Sequence, residues 1–325
     1  MGQHWAMAIG IDHYRLLQSL QCAQRDAEAF RAWCLESGGL APKQILLLTD
    51  SSPIQWQQPT YPDRATLEQW LMHLQRDLIQ PGDSLWFFFS GYGDSWQGQD
   101  YLLPIDANPL NPQETPQNSW IALRDLYGLL KTLPSDRIAV FLDINRSQSV
   151  RGQQPLGHDA IALAKEFGIP TFLSCLPDQF SHESPALGLG LFTAALLESL
   201  RLSHTLADVA RHLRIRLPEL SQHSQRPLQD PMVVTPPDLL DRWQLPIAPL
   251  PPAPAPAFPV SPHLPTQAPT LPLPVKSVLK PIRGLLGLLL LAIMLSSLLR
   301  TCQATLKSSP PTPPPAPPPP VPAAP

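Results

Sequence analysis

"SLWFFFSGYGD", residues 84–94, is the stretch on which the fold turns. Leu85, Trp86, Phe87, Phe88 and Phe89 read as a buried strand, and Ser90-Gly91-Tyr92-Gly93 as a small glycine-flanked turn that ends it. In an α/β protein, a buried strand running into such a turn is where a reactive side chain is displayed. Here the displayed residue is a tyrosine.

Outward from this stretch, apolar runs alternate with helical patterns. "WAMAIGI" (5–11) reads as a strand ending before Asp12. "QCAQRDAEAFRAWCLES" (21–37) places Ala23, Ala27, Phe30 and Cys34 at helical spacing and stops at Gly38-Gly39. "QILLLTD" (44–50) is a second strand, and "RATLEQWLMHLQRDL" (64–78) an amphipathic helix with Thr66 and Gln69 as its capping box. After the opening strand come "RIAVFLDIN" (137–145) and "IPTFLSCL" (169–176) as strands. "GLFTAALLESL" and "HTLADVARHLRIRL" read as helices, and "DPMVV" as a last short strand. Continuous apolar strands alternating with helices imply a mostly parallel sheet covered on both faces. Ligands and chemistry gather at the carboxyl ends of such strands. The segments Ser90–Gly93 and Asp143–Arg146 both fall on that edge.

Composition divides the 325-residue chain sharply. All 26 acidic residues precede Pro246, whereas five bases (Lys276, Lys280, Arg283, Arg300, Lys307) and no acid follow it. A net-acidic globular part argues against nucleic acid as its partner and places an anionic surface near the C-terminal region. Four cysteines (Cys22, Cys34, Cys175, Cys302) form no CxxC pair, and the chain opens without a signal-peptide pattern, which fits a reducing compartment. The nine histidines show no metal-ligand spacing, so neither metal nor cofactor is expected.

Seven segments now carry a resemblance. "AIGIDHY", "QRDAEAF", "FFFSGYGD", "DYLLPIDAN", "VFLDINRSQ", "GLFTAALLESL" and "SQRPLQDP" stand in the order found in caspase-like peptidases (peptidase C14). The chain most resembles their prokaryotic metacaspase-like branch, over roughly residues 4 to 236. The resemblance implies a three-layer caspase-like α/β fold and, in active members, a His-Cys dyad. In that dyad an imidazole moves protons, a thiolate attacks the scissile carbonyl, and backbone N–H groups hold the oxyanion. The histidine position corresponds to Tyr92 and the cysteine position to Asn145. Ser90, Gly91 and Gly93 flank the first substitution, and Asp143 and Arg146 the second, so the register is secure.

Neither replacement can do the original chemistry. An asparagine amide has no thiolate form, and a phenol with an ordinary pKa of about 10 shuttles protons poorly near neutral pH. Cys175 follows the fifth strand and is a conceivable substitute nucleophile, but a free buried cysteine is far more often a small core residue. The resemblance also implies a pocket for Arg or Lys, read by carboxylates at Asp26 and Asp143, where charge-assisted hydrogen bonds would hold a guanidinium. A plainer reading makes Asp26 a first-turn helix residue and Asp143 a partner of nearby backbone N–H groups. Asp106 reads as structural, His158 and His182 as loop residues, and Arg146 as a charged turn residue.

Beyond Leu245 the pattern changes. Proline-rich sequence at 246–281 is a polyproline-type linker, and "GLLGLLLLAIMLSSLL" (284–299) is apolar all round. As a helix this run reaches about 24 Å, and Arg283 and Arg300 can snorkel to the interfaces at either end. The expected organisation is therefore a caspase-like domain (1–245), a linker (246–281), a transmembrane helix (282–300) and a proline-rich tail (301–325). Three bases before the span against two after it favour a cytoplasmic globular domain on a single-pass membrane protein. The expected function is a catalytically inactive pseudo-enzyme that binds or scaffolds at the membrane. Its expected partner is a protein or peptide with basic residues, an active caspase-like relative among them. The rivals are a working cysteine endopeptidase cutting after Arg or Lys, and a structural module recruiting partners through its proline tracts.

Overall fold

The computed structural model describes residues 2–246, apart from 53, 110–118, 146–155, 237–238 and 240–242. The linker, the apolar run at 284–299, the tail and Arg146 lie outside the described residues. Among the described residues no helix is long and apolar enough to cross a membrane.

Strands β1 (His4–Gly10), β2 (Ile45–Thr49), β3 (Ser84–Trp96), β6 (Arg137–Asn145) and β7 (Thr171–Leu173) run parallel in the order β7-β6-β3-β1-β2, and β10 (Met232–Val234) adds antiparallel to β7. Helices α1 (Ala23–Glu36), α2 (Arg64–His73), α3 (Leu123–Thr132), α4 (His158–Phe167), α5 (Leu191–Leu202) and α6 (Leu206–His223) supply the covering layers. Alternation along each strand sorts side chains into two cores, as the two-residue period of a strand requires. Met7, Ile9, Phe87, Phe89 and Val140 join Leu67, Leu126 and Leu163, from α2, α3 and α4, on one face. Ala6, Ala8, Trp86, Phe88 and Phe141 join Phe30, Leu196 and Leu213, from α1, α5 and α6, on the other. The second face is held by stacked aromatics. Phe30 lies on Phe88 with ring centroids 4.7 Å apart, Trp86 on Phe141 at 5.4 Å, and Phe141 on Phe172 at 5.0 Å.

The opening stretch differs from its sequence reading in one respect. Ser90–Gly93 does not turn; β3 continues through it to Trp96. Two partners keep it extended. β6 pairs with it as far as Tyr92 opposite Asn145, and β4 (Gln99–Leu102), itself paired with β5 (Ile121–Ala122), pairs antiparallel with Gly93–Trp96. The turn comes later, at Gln97-Gly98, where both residues have positive φ (51° and 77°), as a two-residue hairpin connection prefers. The glycines serve packing instead: a Cβ on Gly93 would stand 2.3 Å from Ile144 Cγ2.

Three local readings are also corrected. Asp63, not Thr66, caps α2, its carboxylate accepting from Thr66 N at 2.8 Å. His158 opens α4 rather than sitting in a loop. That helix begins after Gly157 with no side-chain cap of its own; Asp100 on β4 reaches across, its Oδ2 accepting from Gly157 N (2.8 Å) and Ala160 N (3.0 Å). Helix α3 was not foreseen, although Leu123, Leu126, Tyr127 and Leu130 carry helical spacing and are its buried side.

Candidate functional site

The parallel strands bring Gly10, Ser90 and Asp143 side by side at their carboxyl ends, in the registers Gly10–Ser90 and Ser90–Asp143. Helix α1 crosses directly over that edge, because Gly10 has no side chain. A Cβ there would lie 2.2 Å from Ala23 O. Asp26, one turn into α1, is thereby lowered onto Ser90, whose hydroxyl donates to Asp26 Oδ2 at 2.9 Å.

The chain from α4 returns to the same place. Beyond β7, a short antiparallel hairpin of β8 (Glu183–Ser184) and β9 (Leu189–Gly190) closes the edge. Gly190 N donates to Asp26 Oδ1 at 2.8 Å. Ser181 Oγ donates to Asp143 Oδ1, and Thr193 Oγ1 to Asp143 Oδ2 at 3.3 Å. A Cβ on Gly190 would lie 2.7 Å from Asp143 Oδ2 and 2.9 Å from Asp26 Oδ2. The two carboxyl groups therefore converge on one point.

Both are almost sealed from water, at 1% and 4% exposure for Asp26 and Asp143. Neither forms an ion pair with a base among the described residues. Burial, and then the neighbouring Asp143, push the Asp26 carboxyl well above the usual range. Burial raises Asp143 to about 6, against the downward pull of its Ser181 and Thr193 hydrogen bonds. A buried like-charge pair with no base beside it among the described residues costs stability.

The other half of the edge is built differently. Tyr92 is 3% exposed and meets Tyr14 edge-on, with ring centroids 5.0 Å apart at 62°. Its backbone N–H donates to Tyr14 Oη at 2.7 Å, and a Cβ on the adjacent Gly91 would stand 2.5 Å from that same oxygen. Asn145 closes β6 opposite Tyr92 in register, so the two positions that the resemblance matches to a dyad are neighbours in the sheet. Cys22, Cys34 and Cys175 are buried thiols outside any disulfide among the described residues. Burial pushes the Cys22 thiol up to about 12, with the Glu183 and Asp26 carboxylates adding to the shift. Cys175 lies two residues beyond β7, with Sγ 3.5 Å from Gln179 O. His182 borders the Asp26–Asp143 cavity, whereas Asp106 caps the start of α2 by accepting from Arg64 N at 3.1 Å.

Sequence reasoning missed Glu183 and Ser181. Both come from β8 and its approach, 38 to 40 residues beyond Asp143, and only the chain's return along β7 brings them back. The "SHES" segment (181–184) has no periodicity to mark it. No group of three or more His, Cys, Asp or Glu that could hold a metal ion occurs among the described residues.

The family model described as the caspase domain matches residues 3–235. Among solved structures, the chain is similar to caspase-1 from Spodoptera frugiperda at 13% identity and a TM-score of 0.46, covering 72% of this chain and 86% of that one. No curated protein matches. With a family model spanning nearly the whole described domain, this chain belongs to the caspase-domain family of peptidases.

Proposed function

We propose that this caspase-like domain is a pseudo-enzyme: it recognises an Arg or Lys side chain between Asp26 and Asp143 but does not cut the chain that carries it. A membrane span at 282–300, reached through the proline-rich linker, tethers it as a binding or scaffold protein with the domain in the cytoplasm. The observation that carries the reading is the convergence on one point of two buried carboxyl groups that no base among the described residues pairs with. A buried like-charge pair is destabilising and persists where a cationic ligand gives it a use. The same edge offers no nucleophile among its described residues. Tyr92 fills the proton-shuttle position as a packed ring, and the thiols of Cys22, Cys34 and Cys175 are buried. Losing chemistry need not remove recognition, since the two depend on different groups.

Full-length protein in detergent micelles is expected to leave Arg- and Lys-containing peptides uncut, with or without calcium. It is expected to bind a matched Arg peptide at about micromolar affinity, weakened by salt. Calorimetry against a norleucine control, repeated with Asp26→Asn and Asp143→Asn, tests this. Equal affinity for norleucine, or indifference to both substitutions, would refute the pocket. Turnover that vanishes in Cys175→Ala would refute the pseudo-enzyme. Resistance to carbonate extraction tests the anchor; release by high salt alone would mean that the attachment is electrostatic.

A further inference from the structure

The cavity between the carboxyl groups measures about 10 Å³, lined by Asp26, Ser90, Asp143, Ser181, Glu183 and Gly190 among others. That is room for about one water molecule, whereas a guanidinium brings four non-hydrogen atoms. The walls differ in how firmly they are held. Ser90 and Asp143 belong to central strands, and Asp26 to a helix packed on them. Ser181, Glu183 and Gly190 belong to the β8–β9 hairpin and its approach, which pairs over only two residues a side, Glu183–Gly190 and Ser184–Leu189. A ladder that short does not hold itself closed.

Besides the Gly190–Asp26 and Ser181–Asp143 bonds, which belong to the site itself, one side chain ties it to the start of α1. The Glu183 carboxylate reaches the residues that lead into α1, with Oε1 accepting from Cys22 N at 2.7 Å and from Gln21 N at 2.9 Å. Charge-assisted bonds to exposed helix-start N–H groups are among the stronger ties a side chain can make. Behind the hairpin lies an open groove of about 540 Å³, between Pro185 and Leu187 at its tip and Leu220, His223 and Arg226 at the end of α6. The hairpin therefore has somewhere to go.

We propose that the β8–β9 hairpin is a lid over the carboxyl pair and that Glu183 is its latch, so that a basic side chain enters only when Glu183 releases the start of α1. This rests on the proposed pocket and adds its regulation: the site is closed at rest, and affinity is reduced by the fraction of molecules with the lid down. Any partner that competes for the Gln21 and Cys22 N–H groups, or fills the groove behind the hairpin, would alter binding without touching Asp26 or Asp143.

The test uses full-length protein in micelles and two variants, Glu183→Ala and Glu183→Gln. Both remove the charge, but only glutamine retains an acceptor for the latch. Hydrogen exchange over residues 183–190 is expected to quicken about tenfold in the alanine variant relative to glutamine, with residues 84–90 unchanged. Stopped-flow association of an Arg peptide is expected to quicken by a similar factor. Equal hairpin exchange in all three proteins overturns the latch, as does peptide binding by both variants in which alanine associates no faster than glutamine. If the hairpin opens in the alanine variant yet no form binds arginine, the latch stands and the pocket proposal falls.

Discussion

The edge of the sheet has two halves, and they have been treated in opposite ways. At Tyr92 the space is filled with apolar mass: two tyrosine rings meet edge-on, and backbone N–H groups are satisfied internally. One strand pairing away, at Asp143 and Asp26, two carboxyl groups are buried with no base among the described residues to balance them. The first half resembles ordinary core. The second resembles a binding site kept at a cost. The contrast teaches that burial alone does not reveal use. A buried ring that packs well needs no ligand to explain it, but a buried like-charge pair does.

The largest effect expected from this contrast is on the packed half. Tyr92→Ala should lower stability by about 3–5 kcal/mol, the usual cost of deleting a large buried aromatic side chain, read by denaturant unfolding. A loss under about 1 kcal/mol would mean that the ring is not core and that the half is still an open cleft.

The carboxyl half should behave with the opposite sign. The folded-state pKa of Asp143 is raised, so its contribution to stability is full below the unfolded value near 3.8 and is lost as pH rises through about 6. Asp143→Asn should therefore flatten the fall in stability across that window and gain about 1–2 kcal/mol at neutral pH, read from midpoints at pH 4, 6 and 7.5. A variant less stable than the wild type at neutral pH would show that the charge is structural and would erase the contrast.

The smallest effect sharpens rather than breaks the comparison. Gly190 has φ −61°, so alanine brings no backbone strain, yet its methyl would stand within 2.9 Å of both carboxyl groups. Gly190→Ala should weaken binding of an Arg peptide by about tenfold, or about 1.4 kcal/mol, and leave a norleucine peptide unaffected. Equal losses for both peptides would place the ligand elsewhere.

Much of this protein was legible from its sequence. Apolar runs bounded by polar turns marked β1, β2, β3 and β6, since a strand buried on both faces must be apolar throughout. The landmarks around Ser90 and Asp143 located both halves of the edge. The rest depended on contacts distant in the chain. Ser90–Gly93 reads locally as a turn, because two glycines among small residues are a breaker signal. β4 and β6 pair with it and hold it extended, and no local signal reports partners about 10 and 50 residues away. The helix at His158 lacked a local cap, for which Asp100 substitutes from 57 residues upstream. The resemblance likewise pointed to Asp26 and Asp143, which the fold brings together, but not to their neighbours. Ser181, Glu183 and Gly190 reach them only because β7 lies against β6 and carries the chain back to the same edge. Residue types and periodicity determine which segments are buried; long-range pairing decides which of them meet, because hydrogen-bond partners and excluded volume are properties of the assembled sheet.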